Sequence, residues 1–159
     1  SFEEIYKGKW LSMMGSKLGL LKVKDEDEKL VAELLDWMHQ NSADYTNTFR
    51  DLCKPEFPLD EAYKSENFRI WYSRWKLRLK TEEQELDASL DLMRSVNPEV
   101  IPRNHKVEEA LQASEQGDLN PFHNLLKALE KPYQCGEHLK PYQAPPEPTE
   151  KVYQTFCGT

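Results

Sequence analysis

The side chains able to do chemistry are few and widely spaced. Three cysteines, Cys53, Cys135 and Cys157, and four histidines, His39, His105, His123 and His138, are scattered along 159 residues. Cys135 and His138 form a C-x-x-H half-site, but a closed zinc site takes four ligands and no second Cys/His pair stands at zinc spacing. The run Asp25-Glu26-Asp27-Glu28 offers oxygens to a hard cation, yet it lacks the ligand spacing of an EF-hand loop. It reads more simply as a helix start, where carboxylates oppose the helix dipole. No G-x-G-x-x-G or G-x-x-x-x-G-K-[ST] phosphate loop occurs, nor a G-x-S-x-G nucleophile elbow, and six dispersed glycines cannot build one. No catalytic, cofactor-binding or metal-ligating residue is therefore assigned to this chain.

Two features keep a chemical reading open. Cys157 stands third from the end of the sequence in Phe-Cys-Gly-Thr, where an exposed thiol could react or pair with a distant cysteine. It is the candidate redox residue, and an incidental terminal thiol is the alternative. Between Phe68 and Lys80, the cations Arg69, Arg74, Lys76, Arg78 and Lys80 alternate with Trp71, Tyr72 and Trp75, a mixture that could grip phosphates and stack bases. At helical spacing, however, the rings fall on one face and most of the cations on the others. That describes a buried stripe with a solvated flank, the long cationic stems covering apolar surface.

Composition narrows the partners. Lys plus Arg is 21 and Asp plus Glu is 28, so a net charge of −7 gives no global attraction to nucleic acid or to an anionic membrane. No apolar run approaches the length of a membrane span, and none forms a signal-peptide core. The odd, low cysteine count favours a reducing, cytoplasmic compartment.

The elements that must position these groups read as helices. Phe2, Ile5, Tyr6, Trp10, Met13, Met14 and Leu18 recur at helical spacing up to a stop at Gly19. So large an apolar face either folds back on this chain or packs on a longer one, and the absence of an initiator methionine favours a fragment. Asp25 is the candidate cap of a second helix with Leu30, Val31, Leu34, Leu35 and Met38 inward, and Ser42 of a third carrying Tyr45, Phe49 and Leu52. Pro55 and Pro58 bracket an irregular connection. Ser65 opens the helix of Phe68, Trp71, Tyr72, Trp75 and Leu79, which should anchor the core. Thr81 with Gln84 suggests a capping box for a helix with Leu86, Leu90 and Met93 inward. One more helix runs through Val107, Ala110 and Leu111 to Gly117, and another, capped by Asn120 with Pro121 at its first position, carries Phe122, Leu125, Leu126 and Leu129 and ends before Pro132.

Five of the ten prolines lie after Glu130, so residues from Tyr133 onward should be extended or irregular, held by Tyr133, Tyr142, Val152, Tyr153 and Phe156. The expected fold class is all-α: an irregular bundle of about six or seven helices over residues 1–132, with an extended Pro-rich C-terminal tail over 133–159.

Several segments, in order and spacing, resemble one family. Leu11-Ser-Met-Met-Gly-Ser-Lys-Leu-Gly-Leu20, Ser42-Ala-Asp-Tyr-Thr-Asn-Thr-Phe-Arg50, Val96-Asn-Pro-Glu-Val-Ile-Pro-Arg-Asn104, Ala113-Ser-Glu-Gln-Gly-Asp118 and Lys131-Pro-Tyr133 look like the C-terminal part of the selenoprotein O-like (SelO, bacterial YdiU) proteins. The resemblance implies a parent about three times this length with a kinase-like region that transfers AMP from ATP, with Mg²⁺ or Mn²⁺, to hydroxyl side chains of proteins. Its nucleotide- and metal-binding residues would all lie before this part. The chain would then be a helical portion without catalytic activity of its own, packed through its Tyr6/Trp10/Met13 face on the missing N-terminal kinase-like region. The family also carries a cysteine or selenocysteine close to its C-terminus, thought in bacterial members to pair with a cysteine of the catalytic part. Cys157 matches that position, although Gly158-Thr159 departs from the more familiar Ser-Ser ending. The rival expectation is an independent helical interaction module docking through the Arg69 to Lys80 flank.

Overall fold

The computed structural model describes residues 2–54, 61–81 and 86–150, and their regular structure is entirely helical. The α-helices are α1 (Phe2–Lys17), α2 (Asp27–Gln40), α3 (Tyr45–Leu52), α4 (Glu66–Lys80), α5 (Leu86–Val96), α6 (Asn104–Glu115), α7 (Asn120–Leu129) and α8 (Lys140–Gln143). Short 3-10 turns cover Glu61–Lys64, Glu137–Leu139 and Pro148–Glu150. The all-α class is as the periodicity indicates. The contacts divide the chain into two units, Ser1–Asn97 and Pro98–Thr159.

The first unit is built around the aromatic face of α4. Phe68, Trp71, Trp75 and Leu79 are buried there, together with Leu30, Val31, Leu34, Trp37 and Met38 of α2 and Leu11, Met14 and Leu18 from α1 and its end. Large rings can fill such a core only if their polar atoms find partners. Trp71 Nε1 donates to the Leu30 carbonyl at 2.8 Å and Trp75 Nε1 to the Leu18 carbonyl at 2.9 Å. The Trp71 and Trp75 rings lie nearly parallel with centroids 5.9 Å apart.

Helix ends follow local chemistry, with four departures from the expected caps; one is Asn120, which is already the first residue of α7, leaving Leu119 at the cap position with no side-chain bond. Gly19 closes α1 at φ 78°, and the Leu20 amide returns to the Gly15 carbonyl at 2.9 Å, a left-handed termination that suits glycine. Ser65 caps α4, its Oγ accepting from the Phe68 amide at 3.4 Å. Asp25 does not cap α2: the helix starts at Asp27, whose own carboxylate reaches back to the Lys24 amide at 2.8 Å. Ser42 does not cap α3 either. It takes φ 50° in the turn, and Asp44 accepts from the Asn47 amide at 2.8 Å, because Asp44 stands directly before the helix in the extended conformation a cap requires. Thr81 ends α4 instead of opening α5, its hydroxyl donating to the Arg78 carbonyl at 2.7 Å. Gln84, Pro55 and Pro58 lie outside the described residues.

In the second unit α6 and α7 pair, and Val100, Ala128 and Leu139 form a small core against which Leu129 and Tyr142 pack. The segment after Pro132 is more ordered than its prolines suggest. A 3-10 turn leads into α8, and Pro141 stands in the first turn of that helix, where its missing N–H costs no hydrogen bond. Leu139, which no period singles out, is its anchor at 1% exposure, whereas Tyr133 stays half exposed. Val152, Tyr153 and Phe156 lie outside the described residues.

Candidate functional site

The acidic run at the start of α2 is engaged within the fold. Asp27 is buried and receives a two-point ion pair from Arg78, Nε to Oδ1 at 2.7 Å and Nη2 to Oδ2 at 2.9 Å. Arg78 also donates to the Lys22 carbonyl, so this planar fork ties the α1–α2 loop to α4. Glu28 pairs with Lys7 of α1 at 2.8 Å. Among the described residues no group of three or more His, Cys, Asp or Glu side chains could hold a metal ion.

The cationic flank of α4 is largely committed as well. Arg78 is held by Asp27, Arg74 pairs with Glu33, and Lys76 lies over the Tyr72 and Trp75 rings at 6.0 and 5.6 Å. These partners convert a phosphate-binding composition into the packing of α2 on α4. An open cleft of about 310 Å³ lies at that junction, lined by Glu33, Asp36, Gln40, Asn67, Ile70 and Arg74 with Trp37 and Trp71. Its lining holds no cysteine, serine or histidine.

A second polar cluster joins the end of α1 to the end of α5. Lys17 Nζ donates toward the Val96 carbonyl at 3.4 Å and Asn97 Oδ1 at 3.3 Å, and lies over the Tyr45 and Phe49 rings. Asn97, only 3% exposed, donates to the Lys17 carbonyl at 2.9 Å and to Cys53 Sγ at 3.6 Å. Burial among these groups pushes the Lys17 ammonium below its ordinary range, with the neighbouring Cys53 acting weakly in the opposite sense. Periodicity could not reveal this cluster, since Lys17 and Asn97 are 80 residues apart. The one local signal is an asparagine directly before Pro98, where a helix must end.

The cysteines separate by environment. Cys53 is buried, its thiol donating to the Phe49 carbonyl at 3.2 Å. Cys135 is exposed, its thiol donating to Glu99 Oε1 at 3.2 Å, and Gln143 donates to the other oxygen of the same carboxylate. Cys157, the redox candidate, lies outside the described residues.

The apolar face of α1 divides in two. Leu11, Met14 and Leu18 are buried and Trp10 packs against the same core, so this side folds back on the chain. Phe2, Ile5, Tyr6 and Met13 are 84%, 61%, 64% and 50% exposed. Trp10 therefore leaves the expected Tyr6/Trp10/Met13 packing surface, because its ring completes this unit's own core.

The family model described as protein adenylyltransferase SelO matches residues 1–130. A protein from Alcanivorax borkumensis named protein nucleotidyltransferase YdiU is 52% identical over 160 residues, which is all of this chain and 33% of the relative. Proteins of the same name from Nitrosococcus oceani and Pelagibacter ubique are 46% and 45% identical, over 32% and 33% of their lengths. The chain belongs to the SelO family of protein nucleotidyltransferases. It spans about a third of the length of the curated relatives it matches.

Proposed function

We propose that this chain is the carboxy-terminal helical part of a kinase-like protein adenylyltransferase that moves AMP from ATP to Ser, Thr or Tyr hydroxyls of protein substrates in the cytoplasm. One observation carries the reading: the whole chain aligns with nucleotidyltransferases three times its length. Among the described residues no group of three or more His, Cys, Asp or Glu side chains could hold a metal ion, and the sequence contains no glycine-rich phosphate loop. ATP and Mg²⁺ or Mn²⁺ belong to the remainder of the polypeptide, which residues 1–132 support as packed helices. Residues 133–159 form the tail that brings Cys157 to a cysteine of that remainder. There the two thiols would give two electrons and two protons to a peroxide or disulfide oxidant and join as a reversible disulfide.

Labelled ATP, Mn²⁺ or Mg²⁺ and acceptor proteins test both parts. The full-length protein should transfer AMP and the 159-residue chain should not; transfer by the chain alone would sink the reading. Oxidised and reduced full-length protein should differ in activity or mobility, and Cys157→Ser should abolish that difference.

A further inference from the structure

We infer that the outward face of α1, made by Phe2, Ile5, Tyr6 and Met13, is the seat of the part of the polypeptide that this chain lacks. The inference rests on the reading of the chain as the carboxy-terminal third of a longer protein. Residues 2 to 9 of α1 are all exposed, while Leu11, Met14 and Leu18 bury the opposite side of the same helix. An amphipathic helix normally turns its polar face to water. Here the side remote from the core carries Phe2, Ile5, Tyr6 and Met13 in register, the last three at three, four and eleven residues from Phe2, with Lys9 the one charge among them. Lys7, ion-paired with Glu28, fixes the projecting turns from the side without covering that face.

The length arithmetic selects the occupant. About two thirds of each relative lies outside the region matched here, and it is covalently attached. A tethered partner acts at an effective concentration on the order of millimolar, which a free second copy does not reach in dilute solution.

The test uses the full-length protein with Ile5→Cys or Met13→Cys, alkylated with N-ethylmaleimide and read site by site by peptide mass spectrometry. Each site should react at least ~10-fold more slowly in the native protein than in the urea-unfolded one, as for a site exposed only by opening of an interface. The protection should not change on dilution. Native rates equal to the unfolded rates would overturn the inference, and protection that vanishes on dilution would also do so by assigning the face to a second copy. AMP transfer is measured on the same samples. Transfer-competent protein with unprotected sites rejects the interface alone, whereas protected sites without transfer support the interface and reject the catalytic reading.

Discussion

Asp27 and Arg78 stand 51 residues apart, and their side chains are almost completely removed from water. A buried ion pair is worth little against a well-packed apolar replacement, but removing one partner strands a charge. Asp27→Ala should therefore cost about 3–5 kcal/mol. Urea unfolding reads the loss, and a midpoint within error of the parent would refute the assignment. A second residue-scale expectation concerns alkaline pH. Burial raises the phenols of Tyr45 and Tyr72 above 10.0, so the stability they contribute is complete below that pH and falls as pH rises through their folded values. Lys17 acts oppositely: its folded value lies below 10.5, the unfolded chain binds more protons in that window, and its contribution rises with pH. The Tyr45→Phe, Tyr72→Phe double variant should thus lose less stability than the parent between neutral and strongly alkaline pH. Equal loss would remove both tyrosines from the account.

At the scale of elements, helix termini decide where the chain can turn. Gly19 and Gly117 both adopt positive φ, at 78° and 89°, and an L side chain there costs about 1–2 kcal/mol in backbone strain. Their surroundings differ. A Cβ at Gly19 would meet Met93 Sδ at 3.0 Å and the Ser89 carbonyl at 3.1 Å, while nothing lies within 4 Å at Gly117. Gly19→Ala should therefore destabilise more than Gly117→Ala, as compared by thermal melts of the two variants. An equal or reversed order would show that the α1–α5 approach yields without cost. The helices themselves were legible: the spacing of Phe68, Trp71, Trp75 and Leu79 placed α4 and its buried face correctly. The cap at Asp44 and the start of α2 at Asp27 were less so, because several adjacent Ser, Asp and Glu residues compete for one site and backbone geometry chooses among them.

For the molecule as a whole, the two units differ in how much apolar surface they bury. The first unit's core runs through five helices and includes three tryptophans, whereas Val100, Ala128 and Leu139 carry the second with two partly buried neighbours. Local stability follows buried apolar contact. Amides of α2 and α4 should exchange with deuterium most slowly, and those of α6, α7 and α8 faster, by at least ~10-fold. Uniform protection across the chain would mean that the second unit draws stability from elsewhere.

The helical class, the aromatic core of α4, the stop at Gly19 and, through short segments in order, the family were all readable along the chain. These depend on residues a few positions apart, where periodicity and turn chemistry act. It took the folded arrangement to show which cations of α4 are spent on Asp27 and Glu33, how Asn97 joins Lys17 to Cys53, and that Leu139 anchors the segment after Pro132. That arrangement also divided α1 into a buried side and an uncovered one. Those outcomes depend on pairings between residues distant in sequence, and a side chain's partner across such a distance is set by packing and not by its neighbours in the chain.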